Sequence, residues 1–189
     1  EKCDEVGAIL IFDEIQTCFG RTGKLFGFEN DNVIPDILCI AKGMGGGMPI
    51  GAFISSWELM NLLTFNPKLG HITTFGGHPI NCAASLACLK YLLNSNIINE
   101  VKEKEKIFRL NLEHPKITDI RGNGLMLAIE LKDEKLATQV VERCLKKGLI
   151  LFYFLFTKTA VRISPPLTIT NSEIIKGCKI IKETLELSE

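Results

Sequence analysis

Two short apolar runs, each stopping abruptly at a charged residue, constrain this chain more than anything else in it. Val6–Phe12 carries no polar side chain, is rich in β-branched residues and ends at Asp13-Glu14. Such a run is predicted to be a central strand buried on both faces of a parallel sheet. Asp36–Ala41 is a second run of the same kind, ending at Lys42 and followed by Gly43, Gly45, Gly46 and Gly47. Pro49–Ser55 reads as a third strand. Two charged residues just past the ends of two buried strands stand where open α/β sheets bind their ligands.

Further along, Pro79–Leu93 places Ile80, Ala83, Ala84, Ala87 and Leu92 at helical spacing, with the proline acceptable in the first turn. Asn96 is positioned to cap an amphipathic helix running to about Leu112. Ile117–Arg121 and Gly124–Leu131 read as strands broken at Gly122-Asn123-Gly124. Glu134–Lys147 is a predicted helix stopped by Gly148. Leu149–Phe156 and Ala160–Ile163 read as strands. Thr170 with Glu173 forms a capping box that opens a last helix, whose apolar face is Ile174, Ile175, Cys178, Ile181 and Leu185. The fold class is therefore α/β. Residues 1–95 read as part of a parallel-sheet domain, and residues 96–189 as a small α/β domain packed on it.

Lys+Arg and Asp+Glu balance at 22 each, so bulk charge favours neither nucleic acid nor an anionic membrane. Seven cysteines form no C-x-x-C pair and no metal-ligand spacing with the three histidines, which points to a reducing, cytoplasmic setting and no metal site. No apolar stretch reaches membrane-spanning length. The chain opens Glu-Lys-Cys-Asp-Glu without Met and enters a predicted strand almost at once, which reads as the middle of a domain.

A glycine-flanked lysine at the mouth of a buried sheet can be desolvated and so become a nucleophile toward aldehydes. A carboxylate ending the neighbouring strand can keep a ring nitrogen protonated. Glycines let the backbone approach a ligand closely. Taken alone, each residue also has a plain reading: Lys42 a surface lysine, Ile15 core, Gln16 a loop hydrogen-bonder, Thr74 a helix cap, Arg162 an ion-pair residue. Glu14 and Arg21 read as structural polar residues.

The longer strings add to this. Leu10-Ile11-Phe12-Asp13-Glu14-Ile15-Gln16-Thr17, continuing through Phe19-Gly20-Arg21-Thr22-Gly23, resembles the signature of class III pyridoxal-phosphate (PLP)-dependent aminotransferases. So do Pro35-Asp36-Ile37-Leu38 through Lys42-Gly43, Gly45 to Ala52, Thr74-Phe75-Gly76-Gly77-His78-Pro79 and Arg162-Ile163-Ser164-Pro165-Pro166-Leu167. Within that family the chain resembles the C-terminal half of the ornithine and acetylornithine aminotransferase group. Cys18 and His78 depart from it, standing where many relatives have Gly and Asn, and Phe152-Tyr153-Phe154-Leu155-Phe156 is unusually aromatic.

The resemblance implies fold type I, with residues 1–95 the C-terminal part of the large cofactor-binding domain and 96–189 the small C-terminal domain. It implies that Lys42 carries PLP as an aldimine and shuttles the substrate proton. Asp13 would pair with the pyridine nitrogen, Ile15 pack on the ring and Gln16 lie near the ring hydroxyl. Thr74 would reach the cofactor phosphate of the partner subunit in a homodimer, and Arg162 would grip a substrate carboxylate. The implied reaction moves the terminal amine of ornithine, N-acetylornithine or a similar donor to 2-oxoglutarate. Relatives that use 4-aminobutyrate, lysine or a diamine form one alternative. A truncated, catalytically incomplete fragment acting as an assembly module forms another.

Overall fold

The computed structural model describes residues 1–188 and divides them into two compact units. The first comprises Glu1–Gly20 and Lys24–Asn96, and the second Arg21–Gly23 and Ile97–Glu189.

In the first unit a short helix α1 (Lys2–Val6) precedes strand β1 (Ile11–Asp13). β2 (Ile37–Ile40) and β3 (Ala52–Ser55) follow, then α2 (Trp57–Leu62) and α3 (Pro79–Asn94). The sheet order is β1-β2-β3, with β1 parallel to β2 and β3 antiparallel to it. Three expectations change here. Val6 ends a helix, closed by Gly7 at φ 65°, so the apolar run contributes a strand only at its end. The strand Pro49–Ser55 is shorter and runs antiparallel to its neighbour. β1 is not buried on both faces: Ile11 is 56% exposed. A run of side chains reports the hydrophobicity of a strand, while its cover comes from whatever packs against it.

The second unit folds around its own core. α4 (Ile97–Asn111) leads to β4 (Ile117–Asn123), β5 (Met126–Leu131), α5 (Glu134–Lys146), β6 (Phe152–Tyr153), β7 (Ala160–Ile163) and α6 (Asn171–Glu186). The sheet order is β4-β5-β7-β6, antiparallel throughout. Leu127, Ile129, Val161 and Ile163 turn one sheet face to Leu136, Val140, Ile174, Ile181 and Leu185 on the helices, all at most 4% exposed. The hairpin between β4 and β5 turns at Gly124-Leu125, with Asn123 opposite Met126. Gly124 needs its φ of 62°, and a Cβ there would lie 2.5 Å from the Arg21 carbonyl oxygen. Thr170 and Glu173 form both bonds of the capping box that starts α6. Ile174, Cys178, Ile181 and Leu185 are buried as expected, but Ile175 is half exposed and lies off the apolar face. The predicted strand Leu149–Phe156 shrinks to Phe152–Tyr153. Among the described residues no helix is long and apolar enough to cross a membrane.

Candidate active site

β1 and β2 run side by side in the same direction, with Asp13 opposite Cys39. The Glu14 amide donates to the Cys39 carbonyl at 2.9 Å, which holds the two strand ends together where both chains turn away. Asp13 closes β1, and Lys42 follows the end of β2 by two residues. Both charged residues thus emerge from the same end of the sheet.

The two adjacent carboxylates do different work. Asp13 is exposed; its Oδ1 accepts from the Ile15 amide at 3.0 Å, and its other oxygen has no partner among the described residues. Glu14 is 3% exposed and ties the following loop down. It accepts from the Gly27 amide at 2.8 Å, the Phe28 amide at 2.6 Å and the Thr17 hydroxyl. A buried carboxylate satisfied by several donors fixes the loop from which Ile15 and Gln16 project. Ile15 is half-buried and Gln16 exposed. The structural reading of Glu14 holds, and so does that of Arg21, which donates to the Leu125 and Pro165 carbonyls in the second unit.

Lys42 has φ 45°, in the left-handed region that an L residue other than glycine, asparagine or aspartate rarely enters. Holding such a residue costs on the order of 1–3 kcal/mol, and it persists only where its surroundings demand it. Those surroundings are α3 and Phe19. The Cys88 thiol donates to the Gly43 carbonyl at 3.4 Å, and the Asn81 amide donates to the Pro49 carbonyl at 2.7 Å. Gly46, at φ 57°, lies so close to α3 that a Cβ would meet the Ala84 carbonyl oxygen and Cys88 Cβ at 3.0 Å. A Cβ on Gly43 would lie 3.2 Å from Phe19 Cβ. The Lys42 side chain is exposed, and its amine forms no ion pair among the described residues. The expected shielding of this lysine from water is therefore not supplied by the described residues.

Thr74 lies exposed in a cleft of about 540 Å³ that it lines with Pro49, Ile50, Gly51, Thr73 and Gly76. A Cβ on Gly51 would touch Ala41 Cβ at 3.4 Å, so this cleft adjoins the turn that carries Lys42. Thr74 is no helix cap; the His78 ring accepts from the Ile80 amide at 3.3 Å and starts α3 instead.

Arg162 belongs to the second unit, on β7 between Ala128 of β5 and Phe152 of β6. Its guanidinium carbon sits 5.3 Å from the centre of the Phe152 ring, and its Nε is buried without a hydrogen-bond partner. A buried, unpaired guanidinium nitrogen is costly unless something accepts from it. Sequence reasoning did not single out Asn81 and Cys88, which hold the lysine turn. Only their reach across the fold gives them that role, and no local pattern announces it.

The sequence matches the family described as aminotransferase class-III over residues 1–185. The chain belongs to the class III aminotransferases. A solved Bacillus anthracis aminotransferase is 34% identical with a TM-score of 0.90; the match covers 98% of this chain and 46% of that one. The ornithine aminotransferase of Toxoplasma gondii is 30% identical with a TM-score of 0.88, over 98% of this chain and 44% of that one. An adenosylmethionine-8-amino-7-oxononanoate aminotransferase from Methanocaldococcus jannaschii is 33% identical with a TM-score of 0.87, over 99% and 48%. This chain thus spans about half the length of the class III structures it matches, and its fold is that of the fold-type-I PLP-dependent transferases. Class III aminotransferases work with PLP. The residues present suit that group: an uncommitted carboxylate oxygen on Asp13, a lysine amine on a constrained turn, and a hydroxyl in a glycine-lined cleft.

Proposed function

We propose that this chain carries the catalytic lysine of a PLP-dependent transaminase, with Lys42 as that residue. The observation that carries the reading is Lys42 held in left-handed backbone, beyond the end of a strand running parallel to the one that ends at Asp13. Phe19, Asn32 and Leu69 share left-handed backbone, so it is the pairing of this turn with the strand end at Asp13 that supports the reading.

When bound, PLP supplies an electrophilic aldehyde carbon and a protonated pyridine ring that accepts electron density. Asp13 would hold the proton on the ring nitrogen with its uncommitted oxygen, Ile15 would pack on the ring and Gln16 would lie near its hydroxyl. The Lys42 amine would hold the aldehyde carbon and, once the substrate amine has displaced it, would move a proton to and from the amine-bearing carbon of the substrate. Arg162 receives the substrate carboxylate through its guanidinium fork. The Thr74 hydroxyl would bind a phosphate oxygen of the partner subunit's cofactor, in a homodimer with shared sites.

The donor class is a terminal amine of the ornithine or N-acetylornithine type, with 2-oxoglutarate as acceptor; the Toxoplasma gondii ornithine aminotransferase supports this choice. All seven cysteines are free thiols, which suits a reducing compartment such as the cytoplasm. A second reading is favoured by the exposure of Asp13, Gln16 and Lys42: the chain alone holds the cofactor incompletely and needs further polypeptide to enclose it.

Incubation with PLP, borohydride reduction and peptide mass analysis test both. A pyridoxyl mass on Lys42, absent from Lys42→Ala, is expected. Labelling only in a longer version of the chain supports the second reading. Labelling of other lysines with none on Lys42, in either version, overturns the assignment.

A further inference from the structure

Arg162 is held in an unusual way for a residue that must receive a carboxylate. On the sheet face away from the helices, β-register places Ala128, Arg162 and Phe152 side by side across three strands. Ala128 offers no bulk or charge. The nearest acidic residue on that face is Glu130, opposite Ala160. Glu130 is fully engaged elsewhere: one oxygen pairs with Arg121, and the other accepts from the Thr159 hydroxyl at 3.1 Å. Arg162 has no ion-pair partner among the described residues. What it has instead is the Phe152 ring, 5.3 Å from the guanidinium carbon.

We infer that Phe152 is the positioning residue for Arg162, its ring face orienting the guanidinium for an incoming carboxylate. The inference rests on the reading of Arg162 as carboxylate anchor. An ion-pair partner would hold the arginine by occupying its donors and neutralising its charge. An aromatic face attracts the cation through the ring quadrupole and leaves every N–H free. The guanidinium is thus oriented without its charge being neutralised. Phe152 and Arg162 also border a cavity of about 230 Å³ whose lining is mostly apolar and includes Phe108, Ile163, Ile169 and Ile181. The Glu173 carboxylate in that cavity is committed to the Thr170 cap and does not compete. Phe152 is 54% exposed on an edge strand, so it contributes little to the core and its place in the fold does not depend on burial.

The test uses the 189-residue chain, labelled with ¹⁵N-arginine, and glutarate as the probe. Arg162→Lys identifies the Arg162 Nε–H resonance. In wild type and Phe152→Tyr, glutarate should shift that resonance with similar affinity. In Phe152→Leu the ring-current displacement of the free resonance should vanish and glutarate should bind about tenfold more weakly. A strongly fluorinated phenylalanine at position 152 keeps the shape and cancels the ring quadrupole, so it should weaken binding as the leucine does. That variant separates the proposal from mere packing, and it serves equally if the leucine variant is poorly folded. Equal glutarate affinity in wild type and the fluorinated form overturns the role of the ring while leaving Arg162 as anchor. No response of Arg162 to glutarate in wild type overturns the anchor itself, and the inference with it.

Discussion

At Lys42 the backbone and the side chain make opposite demands. The turn that follows β2 needs φ 45° at this position, a conformation in which glycine would rest without strain. The lysine is there in spite of that, so stability and chemistry separate cleanly at one residue. Lys42→Gly is expected to raise the unfolding free energy by about 1 kcal/mol, read by denaturant unfolding, while abolishing borohydride-trapped pyridoxyl. A glycine variant that is less stable than wild type would mean the side chain is holding the turn, and the strain argument would fail. Asp13 and Glu14 show the same separation between neighbours. Their types and position were legible in the sequence, but the division of labour was not. It depends on the Gly27 and Phe28 amides arriving from thirteen and fourteen residues away.

Elements were legible where the signal was local and failed where it was not. The helix over 79–94, the glycine stop after α5 and the capping box of α6 all rest on residues within a turn of one another, and all are present. The run Val6–Phe12 was misread because a short apolar stretch has no periodicity to tell helix from strand. The direction of β3 is likewise set by its connection to β2, which the strand's own residues do not encode. Of the residues proposed for the site, the sequence singled out Asp13, Lys42 and Arg162, but it pointed neither to the ring over Arg162 nor to the helix behind Lys42. The start of α6 offers a direct measurement. Thr170→Ala should cost about 1 kcal/mol of stability, read by thermal or denaturant unfolding. The backbone and side-chain bonds from Thr170 hold the Glu173 carboxyl below its usual range. A carboxyl depressed in the folded state stabilises above its unfolded value, and that stability is lost as pH falls through the folded one. Glu173→Gln should therefore flatten the acid limb of the stability curve, and Thr170→Ala, which keeps the backbone donor at 170, only part of it; an unchanged limb in Glu173→Gln would show that the cap does not set it.

Across the whole chain, the two units differ in how they hide their thiols. Cys144 and Cys178 are fully buried in the core of the second unit, Cys18 lies buried in the first, and Cys82 is exposed. Burial raises all three buried thiols, that of Cys178 to about 12. Cys82 should react with a disulfide reagent at once, whereas Cys144 and Cys178 should react together and only as their shared core opens. Separate reaction of those two would show that the core does not open as one. Because the unfolded thiol ionises near 9.0 and the folded Cys178 thiol near 12, the second unit should lose stability as pH rises between those values. Cys178→Ala should remove most of that alkaline loss.

Among the described residues, the three-stranded sheet ends on β1, which pairs with β2 alone. Its outer edge presents a row of backbone amides and carbonyls beside exposed Ile9 and Ile11. Such an edge is adhesive to any extended peptide that reaches it. A bench worker should therefore expect the chain to cloud on concentration, and to be rescued by a short strand-forming peptide sooner than by added salt.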